Sequence, residues 1–316
     1  MSTFPALRAA VDAAIANEHC TNPQEALIAL GLRALLAAIG TEPGYRPTFI
    51  AKGGTVLRLL SGQDLGRLST DLDFSGLDLA APTNMDHQLF AAALGRRATE
   101  VLHQAYPGDP ANVRVAFTAD DRGARHDQSD PDTITYRIYM EAQLSSSQRQ
   151  KTTVNNKRFS IDLTCDEYID QSLIRDLVVT SYGIPIDVRA YAPLQSISEK
   201  MRAILQKRRQ IQYKIEDGKI GPGPQDGTQD GNWVPRHLLD LAVLRSLVTD
   251  ADLRLLPDLF RRKCAGRLIE IMPETRAWLL DERLLIRARE ESLGDQARAD
   301  RAWSVLHELI AAADIP

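Results

Sequence analysis

The sequence predicts an α+β protein, a mixed sheet with accompanying helices to about residue 190 followed by an all-helical part. Three observations point there. Strand-type alternation recurs in the middle of the chain, at Val113, Val115 and Phe117, at Ile134, Tyr136, Ile138 and Met140, and at Phe159, Ile161 and Leu163. After Pro193 that pattern gives way to helical spacing. The 316 residues, 44% hydrophobic and 25% charged, also suffice for two domains with a sizeable core. The expected division is 1–190 and 191–316, with the boundary near Ala190 to Pro193.

Two helical stretches open the chain. The second starts at Thr21-Asn22-Pro23, a cap with proline in the first turn, and runs to Ile39. Thr48 to Ala51 reads as a short strand. Lys52-Gly53-Gly54-Thr55 then leads into a helix carrying Val56, Leu59 and Leu60. A strand from Ser69 to Ser75 and a long helix from about Asn84 to Ala105 follow. Polar Asp120 to Asp132 reads as a mobile hairpin loop, and the Gly-, Pro-, Asp- and Gln-rich stretch Glu216 to Asn232 as a flexible insertion.

Whole-chain properties exclude several classes. A net charge of −4 is no general coating for nucleic acid, although local basic patches remain open. Cys20, Cys165 and Cys264 form no CxxC pair, so neither a disulfide framework nor a zinc site is expected. Met1 to Ala16 has no apolar signal region, and no segment reaches the roughly 18 apolar residues of a membrane span. A cytoplasmic protein without membrane attachment is expected. The absence of GxxxxGK[ST] disfavours a P-loop kinase.

Chemistry concentrates in Arg67-Leu68-Ser69-Thr70-Asp71-Leu72-Asp73-Phe74. On a strand, Ser69, Asp71 and Asp73 share one face while Leu72 and Phe74 share the other. Two carboxylates so spaced converge on hard cations such as Mg²⁺, whose remaining positions substrate phosphates fill. Asp is depleted in strands, so two on one face call for a reason beyond solvent exposure. Gly53-Gly54-Thr55, at a strand-to-helix turn, lets backbone approach a phosphate at a helix N-terminus. Asp162, on the polar face of Phe159 to Thr164, is available as a third carboxylate if a neighbouring strand brings it in.

Together these segments resemble the AbiEii/AbiGii nucleotidyltransferase toxins, which include the toxins called MenT and belong to the polymerase-β-like nucleotidyltransferase superfamily. The matching residues are Lys52 to Thr55, Arg67 to Phe74 and Ile161 to Leu163. Ser198-Glu199-Lys200-Met201-Arg202-Ala203 is similar to the family's Glu-Lys-x-x-Ala helix, and Arg236-His237-Leu238-Leu239-Asp240-Leu241 to its Arg-Asp-x-x-Asp-Leu helix. The resemblance spans roughly residues 30 to 245. It departs from the family at His237, where an acid is common, and at the insertion separating the two helices.

The resemblance implies a nucleotidyltransferase core in the first part, and Mg²⁺-dependent transfer of a nucleoside monophosphate from an NTP with release of pyrophosphate. Asp71, Asp73 and Asp162 would hold metal, Asp162 also helping to deprotonate the acceptor hydroxyl. Lys200 would neutralise phosphate charge and Asp240 complete the active-site set. Lys52, Gly53, Gly54, Thr55, Arg58 and Ser69 are the nucleotide-binding candidates. It further implies a cognate antitoxin and, as acceptor, tRNA. Basic clusters at Lys200, Arg202, Lys207, Arg208, Arg209 and Lys214, and at Arg254, Arg261, Arg262, Lys263 and Arg267, are compatible with RNA. Alternatives are nucleotidylation of a protein hydroxyl, including the chain's own Ser69, and a non-catalytic nucleotide-binding protein. Within its apolar helix Asp240 requires a partner, either metal-linked or a structural salt bridge to Lys200 or Arg236.

Overall fold

In a computed structural model, the structure describes residues 4–17, 20–62, 71–77, 87–106, 113–119, 125–127, 130–147, 150–165, 167–216, 235–292 and 295–316. The chain divides into two compact units. The first comprises Met1–Glu167 and Ile174–Tyr191, the second Tyr168–Leu173 and Ala192–Pro316.

In the first unit α1 (Phe4–Asn17) and α2 (Pro23–Thr41) precede β1 (Phe49–Lys52), α3 (Gly53–Ser61), β2 (Asp71–Gly76) and α4 (His87–Ala105). Strands β3 (Val113–Ala119), β4 (Arg125–Asp127), β5 (Asp130–Ser147), β6 (Gln150–Thr164), β7 (Ile174–Ser181) and β8 (Ile184–Tyr191) complete it. They form one eight-stranded mixed sheet in the order β3-β5-β6-β2-β1-β8-β7, with β4 paired to β5. The expected loop Asp120 to Asp132 is corrected here. Arg125 and His126 pair with Thr135 and Ile134, so strand pairing reaches into the polar stretch, and β5 already begins at Asp130.

Alternation divides the sheet into two chemically distinct faces. Leu72, Phe74, Ile134, Tyr136, Ile138, Phe159, Ile161 and Leu163 are buried on one face, in the core to which α2 and α4 contribute. Beneath β2 the rings of Phe49 and Phe74 lie 5.8 Å apart, Phe49 and Phe90 5.6 Å, and Phe90 and Tyr136 4.5 Å. Such offset and tilted pairs add about 0.5–1.5 kcal/mol each beyond area burial. Strand β2 is thereby fixed from below.

Helix α2 begins as its sequence requires. The Asn22 side chain accepts from Glu25 N–H at 3.0 Å, and Pro23 occupies the first turn. It also corrects the expectation about membrane spans: its 19 residues are long and apolar enough to cross one, with a mean hydropathy of 1.3. That window is 83% buried within the protein, so its apolarity serves the core. The three cysteines are buried thiols.

The second unit holds a 3₁₀ turn (Gln171–Leu173) and helices α5 (Pro193–Glu216), α6 (Pro235–Arg245), α7 (Asp250–Leu253), α8 (Leu256–Ala265), α9 (Thr275–Leu279), α10 (Glu282–Glu291) and α11 (Gln296–Ala312). Helix α6 packs on α5, α10 and α11, and α8 on α5. The expected insertion after Glu216 lies almost wholly outside the described residues, as do Arg67 and Ser69.

Candidate active site

Strand registers assemble the polar face into rows. Thr135 of β5 stands opposite Asp162 of β6, Asp162 beside Asp73 of β2, and Asp73 opposite Lys52 of β1. Register partners project to the same side of a sheet, and adjacent strands lie about 4.8 Å apart. One row therefore reads Thr135, Asp162, Asp73, Lys52. Asp71 lies in the next row, beside Ser160. The sequence candidates Asp71, Asp73 and Asp162 are thus brought onto one face, all half-buried.

The glycine turn lies against this row. Gly53, the first residue of α3, has φ +82°, a left-handed conformation that L side chains resist. A Cβ there would collide with the Asp73 carboxylate, lying 2.9 Å from its Cγ. Glycine is needed twice over, for the turn and for the approach of Asp73. Thr55 is buried, and its hydroxyl donates to the Asp71 carbonyl at 3.4 Å, tying α3 to β2. Arg58 is half-buried one turn further along α3.

Lys52, a nucleotide-binding candidate from the sequence, and side chains to which the sequence assigns no role complete the face. The Thr135 hydroxyl donates to Asp162 Oδ1 at 2.7 Å, which fixes that carboxylate. Lys52 Nζ lies 2.5 Å from Glu167 Oε1, in a pair whose side chains are 11% and 1% exposed. The Ser75 hydroxyl donates to the same Glu167 oxygen and lies 2.6 Å from Tyr191 Oη. Ser75 continues the alternation begun by Asp71 and Asp73, so that signal was readable; Glu167, beyond the end of β6, carries none.

Among the described residues no group of three or more His, Cys, Asp and Glu closes around a point as a metal cage. The carboxylates instead spread over one face of the sheet, Asp73 beside Asp162 in one row and Asp71 in the next, the two on β2 about 6.5–7 Å apart at Cβ. This donor set fits Mg²⁺, which takes one or two protein carboxylates together with substrate phosphates and water. A glycine cradle at a helix start, beside hard oxygen ligands, suits a triphosphate.

Lys200 and Asp240 belong to the helical unit. Lys200 Nζ lies 2.7 Å from Asp240 Oδ2, and the side chains are 9% and 1% exposed. Of the two side chains considered for a salt bridge to Asp240, Lys200 pairs with it. The basic clusters need correction. Arg202 is buried and donates to Glu199 at 2.7 Å and to Gln206. Lys263 is 1% exposed and lies 3.6 Å from Glu199. Arg261 and Arg262 pair with Asp314 and Asp258 at 3.1 and 2.9 Å. Lys200, Arg202 and Lys263 therefore contribute to the interior of the unit, not to an open basic surface. The side chains of Lys207, Arg208, Arg209 and Lys214 lie outside the described residues.

A mixed sheet carrying an acidic row beside a glycine turn, joined in sequence to a helical unit, is the architecture expected of a nucleotidyltransferase. Comparison with known families agrees, since the model of the family described as nucleotidyl transferase AbiEii toxin, type IV toxin–antitoxin system, matches residues 34–308. The chain belongs to that family. The match extends well beyond the segment expected to about residue 245 and includes nearly all of the helical unit. Among curated proteins none matches the chain. The protein is a toxin-like nucleotidyltransferase of a toxin–antitoxin system, an enzyme class whose substrate is an NTP.

Proposed function

We propose that this protein transfers a nucleoside monophosphate from an NTP to a hydroxyl of tRNA, with Asp71, Asp73 and Asp162 at the reacting centre. The observation that carries the reading is the row Thr135, Asp162, Asp73, Lys52 beside the left-handed Gly53 turn. In the reaction the acceptor oxygen bonds to the α-phosphorus. The α–β bridging bond breaks, pyrophosphate departs, and the hydroxyl proton passes to Asp162. The hydrogen bond from Thr135 holds Asp162 in one orientation for that transfer.

Asp71 and Asp73, with Asp162, would hold Mg²⁺, which when bound neutralises triphosphate charge and stabilises the charge developing at phosphorus. The opening backbone N–H groups of α3 at Gly53, Gly54 and Thr55 bind phosphate oxygens, with Arg58 and Ser69 as further contacts. The family resemblance assigns Lys200 to phosphate charge and Asp240 to the active-site set; within the helical unit the two form a buried ion pair. The cytoplasm supplies both NTP and tRNA, and an antitoxin opposes the activity.

The test is transfer of label from each of the four NTPs, with Mg²⁺, to total RNA and to total protein. Asp71→Asn and Asp73→Asn are expected to abolish labelling while remaining folded. Label in protein instead of RNA would move the acceptor to a protein hydroxyl. Growth arrest that persists unchanged in both variants would replace the enzymatic reading with a binding one.

A further inference from the structure

The sheet face that carries the acids continues beyond them. Along the hairpin of β5 and β6, alternate side chains keep to one side. Asp162 stands opposite Thr135, Ser160 opposite Arg137, and Arg158 opposite Tyr139. Strand β2 sets Asp73 beside Asp162 and Asp71 beside Ser160, and Thr118 of β3 stands opposite Tyr139. Three successive rows therefore share the face: Thr135, Asp162 and Asp73; then Arg137, Ser160 and Asp71; then Thr118, Tyr139 and Arg158. Successive rows lie about 6.5–7 Å apart along the strands. Arg137 is thus one row from Asp162, and Arg158 is two rows away, about 13–14 Å.

Charge changes sign along this direction. On β5 and β6 the first row offers a carboxylate, and each of the next two offers a guanidinium. Arg158 is exposed, and Arg137, like Asp162, is half-buried. A guanidinium keeps its charge at any physiological pH and takes phosphate oxygens in pairs. One row further on comes Glu141, exposed and opposite Ala116 of β3, an acid that repels another phosphate. The helical unit meanwhile turns Arg202 and Lys263 inward to Glu199. Cationic groups leading away from a reacting carboxylate at regular spacing suit an acceptor of repeating negative charge. That describes a nucleic-acid strand better than a protein hydroxyl.

We propose that the acceptor strand lies along the β5–β6 hairpin, with its terminal hydroxyl at Asp162 and its adjoining phosphates on Arg137 and Arg158. This rests on the transfer to tRNA proposed above. The contacts are to the RNA backbone, so they position the end and carry no choice of sequence. Glu141 closes the track after two phosphates.

The test is binding of an unmodified tRNA transcript to the full-length protein without NTP, by fluorescence anisotropy from about 50 to about 200 mM salt. Each phosphate contact to a single strand adds about 0.7 to the slope of log affinity against log salt. Arg158→Gln and Arg137→Gln each reduce that slope by about 0.7, and the double variant by about 1.4. Arg158→Lys keeps the charge and with it the wild-type slope. Should half-buried Arg137→Gln fail to fold, the two variants of exposed Arg158 decide alone. A wild-type slope in either glutamine variant, or an equal loss in Arg158→Lys, overturns the placement and leaves tRNA standing as acceptor. A wild-type protein that binds no tRNA overturns both.

Discussion

Gly53 offers the sharpest test, because helix α3 supplies its own control. Gly53 begins the helix at φ +82° and Gly62 follows its end at φ +63°. A Cβ at Gly62 meets open space, whereas one at Gly53 penetrates the Asp73 carboxylate by well over an ångström. Alanine in a left-handed conformation costs about 1–2 kcal/mol. Gly62→Ala is therefore expected to lower stability by about that amount and to leave nucleotide transfer unchanged. Gly53→Ala carries the same strain plus the displacement of Asp73 from its rotamer, about 0.5–1.5 kcal/mol more. Its larger effect is on chemistry, since a reacting group misplaced by about 1 Å loses on the order of 10²-fold in rate. Urea denaturation of both variants gives the stability terms, and label transfer from NTP gives the rates. Equal transfer rates for the two variants would refute the reasoning, because backbone strain would then account for everything.

Three further outcomes follow from the geometry. Breaking the buried Lys200–Asp240 pair by Lys200→Ala or Asp240→Ala should destabilise the protein by about 3–5 kcal/mol, whereas Lys200→Met combined with Asp240→Leu should be close to neutral; denaturant midpoints check this, and single variants as stable as wild type would contradict it. Asp73→Asn removes repulsion with its register neighbour Asp162, so stability should stay level or rise slightly by thermal denaturation while transfer is lost. Burial pushes the Tyr106 hydroxyl up to about 12 from 10.0, so the folded state keeps its proton where the unfolded chain releases it. Stability from this group is present below pH 10 and is lost as pH rises toward about 12, and Tyr106→Phe should flatten that limb of a stability-versus-pH curve.

Much of this was legible in the sequence because it depends on short-range rules. Period-two alternation fixed which faces Asp71, Asp73 and Asp162 occupy, and Asn22-Pro23 fixed the start of α2. Gly53-Gly54 marked a strand-to-helix turn. The hairpin of β7 and β8 is also written in the alternation of Ile184, Ile186, Val188 and Ala190, all buried on one face. Other features depend on contacts no local pattern encodes. Glu167 reaches Lys52 across 115 positions, and neither residue's neighbours announce it. The basic stretch around Lys200 misleads for a related reason. Charge density along the chain resembles a surface patch until Asp240 and Glu199 are seen to take up Lys200, Arg202 and Lys263.

The sheet separates the forces that hold it from those that act chemically. Leu72 and Phe74 anchor β2 to an aromatic layer that includes Phe49, Phe90 and Tyr136, and the same strand presents Asp71, Asp73 and Ser75 on its other side. Clustered carboxylates raise the energy of the folded state, and the apolar layer compensates without restricting what the acids do. The compensation is local and directional, because a strand cannot shift its register by one residue without exchanging its faces. A one-residue slip of β2 would bury Asp73 among the rings and expose Phe74. Register, enforced by the aromatic packing, thus keeps Asp73 aligned with Asp162 on one side and Lys52 on the other. Glu167 and Tyr191, the last residues of the first unit before each passage into the second, then fix the end of that row through Lys52 and Ser75.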